Sequence, residues 1–261
     1  MSPDSFEINR RIAYLGETGR RREEFCRKYI AMKETALPAM SEKLLEESEE
    51  AGKTISCGRG CGVCCCMFVV ASLQECDAIV YHLYNHAAAM RVFQRNFARW
   101  NARILKIADT FRSVNDLHAS ITAGEASADE KSRFDAACGS YALAGNSCPF
   151  LEKDACSIYP VRPYVCASIV SLTPAEWCWV GHPRYAEVFL LKAQLNYDKD
   201  MPYFEKTSSV SIFSSMPFLV WRILNSGYDA LSDVPGLGHL KSQAYAHPEV
   251  QAALREMNAV S

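Results

Sequence analysis

Cys57-Gly-Arg-Gly-Cys61-Gly-Val-Cys64-Cys65-Cys66 places five cysteines within ten residues. Thiols this crowded cannot all pair as unstrained disulfides, because each bridge needs two Cβ atoms facing one another at a set separation. Deprotonated, they make a soft ligand shell suited to Zn²⁺ or an iron–sulfur cluster. Gly58, Gly60 and Gly62 let the backbone turn tightly around an ion. A second set follows: Cys148-Pro-Phe-Leu, then Cys156-Ser-Ile-Tyr-Pro-Val-Arg-Pro, then Cys166. Consecutive side chains on an extended strand point to opposite sides, so Cys64, Cys65 and Cys66 cannot all face one ion. Cys66 leads into Met67-Phe68-Val69-Val70 and is expected to pack as a small buried hydrophobe.

The 261 residues are 49% hydrophobic, enough for a sizeable core. A formal net charge of −2 argues against a general nucleic-acid binder. The first ten residues lack a basic segment followed by an apolar one, so no signal peptide is expected. Residues 212–224 are interrupted by Ser214, Ser215, Pro217 and Arg222 and are too few to span a bilayer. The expected location is cytoplasmic, where reducing conditions keep the twelve cysteines as thiols.

Outward from the cysteines the pattern is helical. The expected fold is mainly α, a helical domain around an irregular, cysteine-rich metal-binding core. Residues 1–54 read as an N-terminal helical extension. Residues 55–182 read as the metal-binding domain, with a helical insert over about 72–137, and 183–261 as a helical region packing on the same core. Within the first, residues 17–51 carry Phe25, Tyr29, Ile30, Met32 and Leu37 as an apolar stripe, with a break at Pro38. Ser72 and Glu75 form a capping box for the next helix, which runs with one break near Ala87 to about Leu117. Phe93, Phe97, Trp100, Ile104, Ile107 and Phe111 step along one face of it. Arg91, Arg95, Arg99 and Lys106 occupy the opposite face with Arg103 on its flank, either a solvated back or a docking face for an acidic protein partner. A loop over 121–127 and a short helix to about Cys138 follow. Pro149, Pro160 and Pro163 keep 145–170 irregular. Thr173-Pro-Ala-Glu has the form of a helix start, and helices are expected at 183–196, 216–226 and 248–258. The two cysteine sets are expected to meet at one site.

Cys57-x3-Cys61-x2-Cys64-Cys65 is neither a zinc-finger knuckle pair nor the cysteine run of bacterial ferredoxins. It is similar to the zinc- or iron-chelating family named for its clustered CxxCxxCC cysteines, the YkgJ type. Cys148-Pro-Phe-Leu, Cys156-x-Ile-Tyr and Arg162-Pro163-x-x-Cys166 resemble that family's second signature. The likeness covers roughly residues 55–170. It implies a metal held by about eight cysteines. Cys57, Cys61, Cys64, Cys65, Cys148, Cys156 and Cys166 match, and either Cys138 or Cys178 is the eighth. Cys66 departs from the family pattern as a third consecutive cysteine, and Ala167 stands where the family often has arginine. The expected group is an iron–sulfur cluster, [4Fe–4S] foremost, or Zn²⁺; eight thiolates suffice for two zincs or for one or two clusters. Arg162 would contribute to cofactor binding by offsetting thiolate charge or by donating to nearby carbonyls.

His82 and His86 share helical spacing but lack a His-Glu-x-x-His context. Cys178-x3-His182, in the Trp177-Cys178-Trp179 turn, could supply auxiliary ligands, or the tryptophans could wall the site from water. Cys26 and Cys76 lie on apolar stripes and are expected in the core. Gly58-x-Gly60-x-Gly62 has neither the preceding strand nor the following helix start of a nucleotide loop, and no Gly-x-Ser-x-Gly elbow is present. Three functional classes stay open. One is a metal protein in an accessory, electron-transfer or structural role. Another is a metal-dependent protein-modifying enzyme. The resemblance extends to a flagellin lysine methylase, although no adenosylmethionine-binding glycine motif is visible, and Cys57-x3-Cys61-x2-Cys64 has the radical-enzyme spacing without the strand–loop–helix barrel context that goes with it. The third is a redox or metal sensor whose thiols are released on oxidation.

Overall fold

A computed structural model describes residues 3–194, 203–204 and 213–260. The chain opens with α1 (Pro3–Ile12) and the long α2 (Gly16–Glu50). Arg22, Cys26, Tyr29, Lys33, Leu37, Leu44 and Ser48 recur at helical spacing and form the buried stripe of α2. The break expected at Pro38 is absent, and Pro38 lies inside α2. An interior proline costs about 3 kcal/mol; the buried side chains on both sides of Pro38 offset that loss.

Past the first cysteine segment come β1 (Val70–Ser72) and α3 (Leu73–Asn85). The expected capping box is present: Glu75 N–H donates to Ser72 Oγ and Ser72 N–H to Glu75 Oε2, both at 3.1 Å. α4 (Ala87–Lys106) and α5 (Ala108–Ala123) follow. The break expected near Ala87 falls at His86, between α3 and α4, and a second one interrupts the helix at Ile107, whose φ of −123° is non-helical. Ile107 and Phe111 nevertheless join Phe93, Phe97, Trp100 and Ile104 on one core. α5 runs to Ala123, so the loop expected over 121–127 is shorter, and Gly124 caps the helix at φ 77°. α6 (Ala128–Leu143) continues beyond Cys138, started by a second capping box from Ser127 and Glu130.

The centre of the chain is built from very short pieces: β2 (Leu151–Glu152), β3 (Ala155–Cys156), α7 (Tyr164–Ala167), β4 (Ile169–Ser171) and β5 (Leu190–Lys192). β2 and β3 form an antiparallel hairpin, and β4 pairs antiparallel with β5. The helix start expected at Thr173 is one 3₁₀ turn over Ala175–Cys178, without a side-chain cap. The helix expected at 183–196 is replaced by a 3₁₀ turn over Tyr185–Glu187 and by β5; residues 195–196 lie outside the described residues. The partner strand β4 supplies backbone hydrogen bonds there that a local helical pattern does not foresee.

β6 (Phe213–Ser215) pairs antiparallel with β1 and leads into α8 (Met216–Ser226), which spans the expected residues. α9 (Tyr228–Ser232), α10 (His239–Ala246) and α11 (Pro248–Val260) complete the described chain. α1 packs on α8 and α11, and α2 on α3 and α10, so N- and C-terminal helices share one core. No described helix is long and apolar enough to cross a membrane. The basic side of α4 is partly used internally: Arg95 pairs with Glu152, and Arg103 donates to Gly145 O at 3.0 Å. Both contacts fasten α4 to the segment that carries Cys148.

Candidate metal centre

Residues 57–66 form two successive tight turns. Cys61 N–H donates to Gly58 O at 3.0 Å, across Gly60 at φ 97°, a conformation open to glycine. Residues Val63–Cys66 then make one 3₁₀ turn, closed by Cys65 N–H to Gly62 O at 3.0 Å. The expected extended alternation is therefore wrong for the triplet. Three residues per turn set consecutive side chains about 120° apart, yet Cys64 and Cys65 stay within hydrogen-bond reach of one another while Cys66 turns into the core. Cys66 is buried, as expected, and its thiol contacts Val63 O at 3.3 Å. Cys64 is exposed and Cys65 half-buried.

The second cysteine set is hydrogen-bonded to the first. Cys148 N–H donates to Cys65 O at 2.7 Å, so segments eighty-three residues apart in sequence touch at their cysteines. The hairpin that follows sets Leu151 opposite Cys156, and Leu151 N–H donates to Cys148 O at 3.0 Å. The N–H groups of Phe150 and Ile158 donate to the thiols of Cys148 and Cys156. Cys166 lies on α7, whose first residue is tied to the helical body: Tyr164 N–H donates to Glu75 Oε1 at 2.7 Å. Lys33 completes that anchor, with Nζ 3.1 Å from Glu75 Oε1 and 2.9 Å from Arg162 O. Both side chains are fully buried. The sequence reading missed Lys33, although its helical spacing from Cys26, Tyr29 and Leu37 marked it as inward-facing.

A third segment closes on the first from another direction. Ser56 N–H donates to Ser171 O, and Ser171 N–H donates to Cys57 Sγ, both at 2.9 Å. The 3₁₀ turn ending in Cys178 packs against the turn that carries Cys64 and Cys65. Ser171 was another residue missed; only the β4–β5 pairing brings it to Cys57.

The thiols influence one another. Burial raises the Cys57 thiol, Ser171 N–H opposes the shift, and Cys61, Cys64 and Cys178 add to it. Burial likewise pushes Cys148 up to about 12, with Cys156 and Cys64 contributing. It raises Cys166, with Cys148, Cys64 and Cys156 contributing. Cys166 is exposed all the same. Cys64 and Cys65 share a hydrogen bond that lowers Cys64 to about 7 and raises Cys65. Burial raises Cys156, and its N–H bond from Ile158 and the charge of Arg162 pull it down. The Arg162 guanidinium lies 3.7 Å over the Tyr159 ring and donates to Tyr159 O at 2.9 Å.

The remaining candidates have the following surroundings. Cys138 is on α6, half-buried, and raised to about 11 by burial and by Asp135. Cys26 and Cys76 are fully buried in the core. The His82 and His86 rings stack at 3.8 Å, and His86 Nδ1 bonds His82 O at 2.8 Å. His182 Nδ1 accepts from Arg184 N–H, and Arg184 lies over Trp177 at 3.6 Å. Trp179 is 49% exposed and its ring lies over Gly181.

Among the described residues, no three Cys, His, Asp or Glu side chains stand at metal-holding spacing. Three of the thiols, those of Cys57, Cys148 and Cys156, accept backbone N–H bonds. No protein-family model, curated protein or solved structure matches the chain.

Proposed function

We propose that this is a metal-thiolate protein of the CxxCxxCC-cysteine type, holding an iron–sulfur cluster, [4Fe–4S] foremost, or Zn²⁺, in an electron-transfer, structural or accessory role. The observation that carries this reading is the 2.7 Å bond from Cys148 N–H to Cys65 O, which joins the two cysteine sets at the residues that would ligate. Cys57, Cys61, Cys64, Cys65, Cys148, Cys156, Cys166 and Cys178 would hold the metal, and Arg162 would offset part of the thiolate charge. Rotation about χ1 carries a cysteine Sγ through about 3 Å between staggered wells, the motion by which neighbouring thiols close on an ion. Thiols raised by burial and by one another ionise together only against strong positive charge, which a metal supplies. Exposed Cys64 and Cys166 would bring such a centre to the surface, as electron exchange with a partner requires. A groove of about 400 Å³ between α5 and α6, lined by residues including Asp116, Glu130 and Arg133, has none of these cysteines in its wall. Arg91 and Arg99 remain as the part of the α4 basic face for an acidic protein partner.

The test is anaerobic purification, metal analysis and an absorption spectrum, with Cys61→Ser and Cys156→Ser alongside. Iron with labile sulfide and a broad visible absorption, lost in both variants, supports a cluster; stoichiometric zinc, lost likewise, supports a structural site. A wild-type chain without bound metal contradicts the proposal.

A further inference from the structure

Of the eight large apolar side chains exposed among the described residues, five lie in one short lobe: Ile169, Trp179, Tyr185, Phe189 and Leu190. The lobe consists of β4, a run of tight turns over residues 173–188, and β5. Its strand pair also leaves an open edge. Val170 pairs with Leu191, Leu172 N–H donates to Phe189 O, and Ala193 N–H donates to Ser168 O. Residues 189, 191 and 193 therefore bond inward to β4. Alternation in an antiparallel ladder turns the N–H and C=O of Leu190 and Lys192 the other way. Among the described residues, none bonds those four groups. The far edge of β4 is closed by contrast, because Ser171 bonds Ser56 and Cys57 there. Of the devices that blunt an exposed edge, β5 has its shortness and one lysine, but no proline.

We propose that the open edge of β5 takes β5 of a second copy of this chain, antiparallel about a two-fold axis at Leu191. In that register Leu190 stands opposite the partner's Lys192, and Lys192 opposite the partner's Leu190. Each such pair exchanges both backbone bonds, and the two-stranded β4–β5 unit becomes half of a four-stranded sheet. The match is self-complementary, as an interface between identical patches requires. It also settles the charges: lysine meets leucine, never lysine, and its aliphatic stem covers apolar surface. Ile169 stands across from Lys192 on β4 and two places from the partner of Leu190, so all three side chains share one face of the sheet. The sequence Leu190-Leu191-Lys192, apolar at one end and basic at the other, thus matches its own reverse. That match favours a second copy over an unrelated extended segment as the occupant.

The test is sedimentation equilibrium of the full-length chain over a range of protein concentrations, under anaerobic, reducing conditions that prevent disulfide-linked dimers. Circular dichroism checks that each variant keeps wild-type helix content. Wild type is expected to dimerise as concentration rises. Leu190→Lys, at an exposed position, sets lysine against the partner's Lys192 on both sides of the axis. It should weaken self-association by about tenfold or more. Leu190→Lys/Lys192→Glu brings opposite charges together in the same register and should restore the dimer. Lys192→Pro removes an N–H that the single chain leaves unbonded and should abolish the dimer. A wild type that stays monomeric overturns the proposal, including one whose edge is taken by a strand of another protein. So does a dimer that Leu190→Lys leaves intact, or a double variant as monomeric as Leu190→Lys. None of these readouts depends on the metal-thiolate reading.

Discussion

The helical body and the cysteine-bearing centre are held together by different means. In the body, long helices bury stripes of apolar side chains, and the charges buried with them are paired. Arg22 donates to Asp77 through Nε at 3.0 Å, Tyr203 OH donates to Asp77 Oδ2 at 2.7 Å, and the Tyr14 and Tyr228 rings lie over the guanidinium. The centre has strands of two or three residues and turns of three or four, tied by single bonds between segments distant in sequence. Short elements bury little apolar area each, so their order depends on cross-links. The body combines extensive apolar packing with the buried Arg22–Asp77 pair, whereas the centre draws on the Lys33–Glu75 pair, a few backbone bonds and, in our reading, metal.

The largest expected effects break that contrast from the body's side. Asp77→Asn leaves Arg22 buried without its counter-charge and should cost about 3–5 kcal/mol, read as a lower urea midpoint with helix signal and tertiary fluorescence lost together. Lys33→Met should cost a similar amount, about 3–5 kcal/mol, because it strands the Glu75 carboxylate. It should also speed amide exchange over residues 159–167, which Asp77→Asn in its folded state should not. Equal exchange in the two variants would mean that Lys33–Glu75 is no special anchor for the centre.

A smaller effect separates the two regions by pH. Burial, and then the charge of His86, lower His82 to about 4 from its ordinary 6.5. The unfolded chain therefore takes up the proton first. The contribution of neutral His82 is fully present above pH 6.5 and is lost as pH falls towards 4, by about 1–2 kcal/mol after allowance for solvent. The fall should flatten in His82→Gln; an unchanged slope would place the acid sensitivity elsewhere. Ser72→Ala removes half of the α3 capping box and should cost about 1 kcal/mol. Arg95→Ala should cost about 0–1 kcal/mol, as exposed ion pairs do, while loosening the hairpin near Glu152.

Legibility followed the same division. Ser72 with Glu75, the stripe from Phe93 to Phe111 and residues 216–226 carry local, periodic signals, and those helices were readable. Arg22 and Lys33 were hidden because a dense charged run reads as surface, although both keep the spacing of Cys26, Tyr29 and Leu37. Residues 183–194 read as helix because nothing local announces that Leu190–Lys192 pairs with β4. In the candidate site, the meeting of the two cysteine sets was expected from the sequence and is present in the bond from Cys148 N–H to Cys65 O. The position of Cys178 beside Cys57 was not, because it depends on the β4–β5 pairing and on the bonds of Ser171.

The most direct measurement is X-ray absorption at the edge of whatever metal the anaerobically purified protein carries. The account predicts a first shell of sulfur alone, at about 2.3 Å for either zinc or iron thiolate. A first shell dominated by nitrogen or oxygen would contradict it.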